Sequence, residues 1–543
     1  MLRTPPIELP LHERTVSKLL AKHAATDGNH PFLLFEDQRY TYTEAEKLTN
    51  SIAHGMLNVG VSKGSHVALM MANRPEMLWT YLALAKIGAV VIPMNLAAKG
   101  ELLASSLKQS ESTIFVADIG SVERFAEIVA GVPAINKVIA TDIVNEDIQA
   151  FTQRLGIAVI PWLSIVDSRC DPPMIEVTFR DTYLIMYTSG TTGPSKGSLS
   201  TQAYPITYGL QRVTCFGYNK NDVLYTCLPL FHGNGLISTC FAALVVGATI
   251  ALSQRFSATR FWSEVRSMGA TQFNLLGAMT NFLWAQPQSP LDTQHQVRQC
   301  TMVPLPDFAK PFEIRFGLKL TSVYALSDYG LGTLLGPDHP AQKWQSAGLP
   351  APDMEVAIVD DDDLPVKESK VGEIVMRSRK PWTVGQGYWK NPEATVQAWR
   401  NLWFHTGDTG FLDSDGYLYF VDRKKDSMRR RGENISSWEV ERIIQQHNDI
   451  MDVAAYPIRA ELPEDEVMVS IVLHPGASMT PEALVDYCSG NMAYFMVPRF
   501  VEFRPSLPRT LTEKVEKYKL RQAAEAQIDL VWDREKAGIK LTR

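Results

Sequence analysis

No two of the six cysteines in this 543-residue chain form a C-x-x-C pair; Cys170, Cys215, Cys227, Cys240, Cys300 and Cys488 are scattered along it. Small secreted folds are stapled by paired cysteines, and structural zinc sites use close thiolate pairs. Both are excluded as organising features, and a reducing compartment is expected. A long hydrophobic run is missing too. The longest, residues 240–252, falls short of the roughly 20 residues a membrane helix needs. It predicts a helix end, a turn at Gly247 and a buried strand. Met1 to Pro10 has no apolar leader and Lys540 to Arg543 carries no peroxisomal address, so a soluble, cytoplasmic protein is expected. The net charge of −6 contains no basic excess, which argues against nucleic-acid binding. Neither H-E-x-x-H nor G-x-G-x-x-G occurs, and no 20–50-residue repeat is visible.

What is present is a long alternation of short apolar runs and amphipathic segments. A hydrophobic content of 45% is ordinary for a globular chain, and the length implies several units. Residues 16–23 and 43–59 read as helices, the second with Thr43 as N-cap and Glu46 closing a capping box. Residues 67–71 read as a strand, 75–87 as a helix capped at Gly88, and 89–93 as the next strand. Strands follow near 113–116, 137–140 and 224–230. This β-α-β rhythm predicts a parallel α/β sheet. From 353 to 421 short β-rich runs alternate with turns, and Asp360 to Asp363 reads as a hairpin turn, not a calcium loop. The charged run Asp422-Arg423-Lys424-Lys425-Asp426 reads as a linker to a further α/β unit. That unit has helices expected at 438–447, 481–488 and 517–526 and a strand at 467–473. The predicted units are 1–424, with a β-rich subdomain at about 353–421, and 425–543.

One stretch stands apart: Thr188-Ser189-Gly190-Thr191-Thr192-Gly193-Pro194-Ser195-Lys196-Gly197. It follows the apolar run 183–187, a candidate buried strand. A glycine-rich loop leaving a strand lets backbone N–H groups converge on an anion, hydroxyls add donors, and a lysine adds a charge. The ligand it suits is a polyphosphate. It is not a Walker A loop: counting from Gly190, Ser195 stands where the second glycine belongs, and Gly197 follows Lys196 where a hydroxyl belongs.

The stretch resembles the phosphate loop of the adenylate-forming superfamily, which holds acyl-CoA synthetases, adenylation domains and luciferases. Five further segments resemble that superfamily's motifs in order, across about residues 85 to 520. Among its members the chain looks most like crotonobetaine/carnitine-CoA ligases and similar small-acid ligases. The resemblance implies an α/β fold: a large N-terminal domain of stacked sheets, a β-rich subdomain and a small mobile α+β C-terminal domain. It also implies roles. Thr188, Ser189, Gly190, Thr191, Thr192 and Lys196 would hold ATP phosphates. Tyr324-Ala325-Leu326-Ser327-Asp328 stands where the family has Tyr-Gly-x-Thr-Glu: Tyr324 against adenine, Ser327 on phosphate, and Asp328 with Thr188 toward Mg²⁺. Ala325, Ser327 and Asp328 each depart from the family's residue. Asp408, in Thr406-Gly407-Asp408, would accept the ribose hydroxyls, with Arg423 beside it. Gly372 to Ile374 and Gly387 to Thr395 match a motif read as structural.

His232, after Phe231, either lines an acyl pocket or is a core histidine. Lys514, in Pro508-Arg509-Thr510-Leu511-Thr512-Glu513-Lys514, would be the catalytic lysine, with Glu513 replacing a glycine and Lys517 and Lys519 as competitors. Arg431, Gly432 and Glu433 would face CoA, unless the arginine run is a solvated face. The hinge would be Lys425. Segments 273–277 and 301–305 would line the acid pocket.

The implied reaction is acid–CoA ligation through acyl-AMP, with ATP, Mg²⁺, CoA and a carboxylic acid as the partners and with Lys514, Asp328 and His232 at the chemistry. A carboxylic acid with a pKa of ~4 is already ionised at neutral pH. The site must neutralise and align two anions, not shuttle protons. A non-CoA acceptor and a catalytically impaired nucleotide-binding relative remain alternatives, and an oligomer is compatible with the sequence.

Overall fold

The computed structural model describes residues 7–187, 196–423, 428–430, 433–435, 437–459, 465–492, 494, 496–510 and 514–541. Two mostly parallel sheets form the bulk of them. The larger runs through Leu349–Pro350, Gly330–Leu335, Lys319–Leu326, Gln299–Val303, Gln272–Leu276, Val223–Thr226, Thr249–Leu252, Pro31–Phe35 and Gln38–Thr41. Its inner pairings are parallel and its outermost ones antiparallel. The second runs through Ala158–Pro161, Lys137–Thr141, Ile114–Asp118, His66–Met70, Val90–Pro93, Thr182–Tyr187 and Gly197–Thr201, parallel until the last hairpin.

Short continuous apolar runs make such strands because both faces are covered; Val90–Pro93 is buried at every position. Helices Tyr42–Asn58, Pro75–Lys86 and Ala203–Phe216 share one core with both sheets: Leu33 and Ile250 from one, Val67 and Leu184 from the other, with Ile52, Trp79 and Val213 from the helices. Pro75–Lys86 buries every residue but Glu76, which is why it reads apolar all round. Lys86 enters this core against Glu46 at 2.6 Å. Burial pushes its ammonium pKa down, and the Glu46 carboxylate opposes that.

That pair explains a correction. The capping box is Thr41 with Glu44, not Thr43 with Glu46. Glu46 is committed to Lys86, and the helix begins at Tyr42, whose hydroxyl donates to the Ala248 carbonyl at 2.7 Å. The strand expected over 224–230 ends at Thr226. Beyond it the Asn73 side chain replaces the sheet ladder, donating to the carbonyls of Leu228 and Ser253 and accepting from the Leu230 N–H. Residues 240–252 behave as expected: helix Ala242–Val246, Gly247 at φ +73, then Thr249–Leu252.

An antiparallel sheet follows, Met354–Val359, Gly372–Ser378, Phe404–Leu412 and Leu418–Arg423. Asp360 shapes the turn after its first strand by accepting the N–H groups of Asp362 and Leu364 at 3.0 Å. Past a two-stranded ribbon, Met428–Arg430 with Glu433–Ile435, lies an α+β unit. Its sheet is Ile450–Arg459, Asp465–Leu473, Phe500–Phe503 and Trp532–Asp533. Helices Ser437–Gln445 and Pro481–Asn491 pack with it around Val440, Ile444, Val467, Leu484 and Val501, while Lys517–Ala526 joins Tyr456 and Met468 in a second cluster.

Candidate functional site

The hairpin Thr182–Tyr187 and Gly197–Thr201 holds the ends of the glycine–hydroxyl loop. Thr188, Ser189, Gly190, Thr191 and Thr192 lie outside the described residues; Lys196, at the loop's exit, is described. Its ammonium sits 4.8 Å from the centre of the Tyr388 ring. The Tyr388 hydroxyl in turn donates to Asp328 Oδ2 at 2.5 Å. The hydroxyl of Ser198 donates to the Asp328 carbonyl at 3.3 Å. Burial, with the Asp328 carboxylate adding to it, pushes the Tyr388 phenol far up, so it remains a donor at neutral pH.

Backbone bonds weld this assembly together. Leu199 N–H donates to the Gly387 carbonyl, Gln386 N–H to Leu199 and Trp389 N–H to Gly197, all within 2.8–2.9 Å. Gly385 is required where the chain passes Asp328, since a Cβ there would strike the Asp328 carbonyl. Tyr388, in the segment Gly387 to Thr395 that reads from sequence as structural, thus joins two predicted site residues. The signal was the pair of glycines just before a tyrosine: Gly385 for close approach and Gly387 for its φ of +100.

Four residues before Asp328, on strand Lys319–Leu326, Tyr324 donates its hydroxyl to Asp408 Oδ2 at 2.8 Å, and both side chains are buried. Asp408 reaches this place through a tight turn. Gly407 takes φ +70 and donates to Glu373 Oε1, and the Thr406 hydroxyl donates to the Ile374 carbonyl and accepts the Asp408 N–H. Arg423 stands opposite Asp408 in the strand register. The sheet shifts register between Tyr324 and Ala325, and Ser327 beyond is exposed. Lys196, Asp328, Tyr324 and Asp408 are therefore linked through segment 324–328.

His232 is largely buried beside Phe231, ring centres 4.5 Å apart, and its Nε2 is buried without a partner. Burial pushes its pKa down to about 4, so it is neutral at pH 7. Two residues on, Asn234 Oδ1 accepts from Asn274 Nδ2 at 2.8 Å.

In the C-terminal unit, the Lys514 N–H donates to the Thr510 hydroxyl and the Thr510 N–H to the Lys514 carbonyl; Lys514 is exposed. The competing lysines are engaged locally, Lys517 by Glu441 at 2.8 Å and Lys519 by Glu516 at 2.6 Å. Glu513, Lys425, Arg431 and Gly432 lie outside the described residues, and Glu433 is described by its backbone alone. Arg442 of this unit meets Asp307 of the large sheet's region at 2.8 Å.

Among the described residues no cluster of three or more His, Cys, Asp or Glu forms a metal cage. Magnesium needs none: it is commonly held by one or two carboxylates plus substrate phosphates. Asp328 fits that use, since Tyr388 occupies Oδ2 and leaves Oδ1 for a cation. Two G-x-S-x-G patterns occur: Gly193-Pro194-Ser195-Lys196-Gly197 belongs to the glycine–hydroxyl loop, and the other is Gly60-Val61-Ser62-Lys63-Gly64. It sits on an exposed helix-to-strand turn with Ser62 bonded to Ser65, the reverse of the strand-to-helix order of a hydrolase nucleophile. No described helix is long and apolar enough to cross a membrane.

Comparison with known proteins places this geometry. Residues 20–389 match the model of the AMP-binding enzyme family, and 439–514 match that of the AMP-binding enzyme C-terminal domain. The chain is 30% identical over 509 residues to the crotonobetaine/carnitine–CoA ligase of Salmonella enteritidis, covering 92% of this chain and 97% of that one. The protein of the same name from Salmonella paratyphi A is 31% identical over 506 residues, covering 91% and 96%. The solved anthranilate CoA ligase AuaEII in complex with anthranoyl-AMP shares the fold, with a TM-score of 0.83 at 22% identity over 97% of this chain and 100% of that one. A Mycobacterium tuberculosis fatty acyl CoA synthetase gives 0.72 at 27% identity over 94% and 99%. The chain belongs to the AMP-binding, adenylate-forming superfamily of enzymes.

Proposed function

We propose that this chain is an AMP-forming acid–CoA ligase. The observation that carries the reading is the contact between Tyr324 and Asp408, 84 residues apart, on the same segment that brings Asp328 to the exit of the phosphate loop. One ligand with a ribose near Asp408 and phosphates near Lys196 would span it. The sequence relatives are crotonobetaine/carnitine–CoA ligases, which supports CoA as acceptor.

In the first half-reaction a carboxylate oxygen attacks the α-phosphorus of ATP and the bond to the pyrophosphate oxygen breaks. The barrier is the approach of one anion to another. Loop 188–195 and Lys196 offset phosphate charge, with the Tyr388 ring holding the ammonium in place. Asp328 would hold Mg²⁺ through Oδ1; bound there, the ion neutralises phosphate charge as a Lewis acid. Asp408 accepts the ribose hydroxyls, and the Tyr324 hydroxyl fixes the plane of its carboxylate. Lys514 stabilises charge on the transferring group. In the second half-reaction the CoA thiol loses its proton to solvent, its sulfur attacks the acyl carbon, and the bond to AMP breaks. Arg431, Gly432 and Glu433 face CoA in that step. The units are 1–424 and 425–543, turning about Lys425, which falls between the two matched family segments. All six cysteines are free, in keeping with a cytoplasmic setting.

The test is acid-dependent ATP–pyrophosphate exchange over a panel of carboxylic acids, followed by CoA-dependent release of AMP. Exchange without CoA consumption would point to another acceptor. Absence of exchange with every acid would overturn the proposal.

A further inference from the structure

We infer that the acid taken by this site is a dicarboxylic acid, its second carboxylate read by Arg212. This rests on the adenylation reading above and deepens it.

Arg212, on helix Ala203–Phe216, is only 1% exposed. Its Nη2 donates to Tyr218 Oη at 3.0 Å, Asn274 Oδ1 at 3.0 Å and Thr301 Oγ1 at 2.9 Å, all neutral oxygens. The rings of Phe216 and Tyr218 lie 5.0 and 5.9 Å from its guanidinium carbon. Its Nε is buried with no partner. Among the described residues no carboxylate lies within ion-pair reach of it; half-buried Arg315, by contrast, meets Asp292 at 2.8 Å and buried Lys86 meets Glu46. A guanidinium cannot shed its proton, so this buried charge lacks a counter-ion.

Its place gives the charge a use. Asn274, which accepts from Arg212, donates onward to Asn234 at 2.8 Å and Thr239 at 3.1 Å. Asn234 lies two residues past His232, whose Nε2 is another buried polar atom without a partner. Thr301 opens segment 301–305, and Asn274 lies in segment 273–277. Arg212 thus bonds to both strands assigned to the acid, and the polar chain Arg212–Asn274–Asn234 ends two residues past His232.

Acids of three kinds would meet it differently. An alkyl tail would end against polar groups it cannot satisfy. A trimethylammonium tip would meet a like charge. A second carboxylate would supply the missing counter-ion, in the planar geometry a guanidinium matches. A site built to bond a polar substrate group discriminates against analogues lacking it more sharply than an apolar pocket does.

The experiment compares ATP–pyrophosphate exchange by the full chain on matched acids: succinate, butyrate and 4-trimethylammoniobutyrate; glutarate and valerate; adipate and hexanoate. The inference requires kcat/KM at least about tenfold higher for the diacid in at least one set. Arg212→Met then erases that preference, while Arg212→Lys retains part of it. A monoacid or the betaine performing as well as the diacid in every set overturns the inference. The wild-type ranking decides this even if Arg212→Met fails to fold. If no acid supports exchange, calorimetric titration of the same acids into ATP-loaded wild type separates the two claims. Diacid binding alone sustains the Arg212 reading while adenylation falls, and no preference for the diacid overturns both.

Discussion

The proposed nucleotide face and the proposed acid face are built from different parts of the polypeptide. On the nucleotide face the polar groups sit at turns and at irregular points of strands. Gly407 at φ +70 presents Asp408, and Gly385 and Gly387 let the chain pass Asp328 and set Tyr388 under Lys196. On the acid face they come from the middle of regular elements. Arg212 projects from a helix, Asn274 and Thr301 from two neighbouring strands, and their meeting depends on how helix and sheet pack. A turn needs particular residues in a row to exist at all, so it writes itself into the sequence. A helix or strand tolerates many side chains at one position, so a polar group there looks accidental until its partners are known.

Substitutions on the two faces separate their roles, with the strongest loss at Lys514. Lys514→Ala is expected to slow adenylation by on the order of 10²–10³ while largely sparing thioester formation from supplied acyl-AMP. Equal loss in both half-reactions would remove Lys514 from the nucleotide side. Asp408→Ala is expected to lower kcat/KM for ATP by roughly 10², through loss of charge-assisted bonds to the ribose. The thioester step from supplied acyl-AMP should fall as well, because the adenylate carries the same ribose.

Tyr388→Phe keeps the ring under Lys196 but removes the donor to Asp328 Oδ2. About a tenfold rise in KM for MgATP is expected, with Tyr388→Leu worse because the ring is lost too. An unchanged KM in both variants would return this segment to a purely structural role. The smallest effect belongs to the acid face. His232, with its pKa pushed down to about 4 by burial, stays neutral through pH 6–8 and should leave the activity profile flat there. The folded state binds fewer protons at His232 than the unfolded chain does between pH 6.5 and 4. Stability from this site is therefore complete above pH 6.5 and lost as pH falls, by about 3 kcal/mol at most. Denaturant melts of wild type and His232→Asn across that range should converge toward low pH; parallel curves would show that the ring titrates normally.

Much of the architecture was readable because hydrophobic runs are local. The helix at 75–86, the Gly247 turn and the β-rich stretch after 353 all follow from pattern. The misreadings came where a distant group intervened. Glu46 pairs with Lys86 instead of closing a capping box, and Asn73 ends a strand that its own residues would have continued. Tyr388 reads as packing in the sequence because its two charged neighbours, Lys196 and Asp328, stand 192 and 60 positions away.

By itself the order of residues determined the class of fold and the Thr406-Gly407-Asp408 bend, because each depends on patterns among near neighbours. Only the folded chain decided that Tyr324 touches Asp408, that Tyr388 bridges Lys196 and Asp328, and that Arg212 is sealed in without a carboxylate. Those contacts are set by the stacking of helices on twisted sheets, where a side chain's partner is chosen by geometry across the core and leaves no trace in the adjoining sequence.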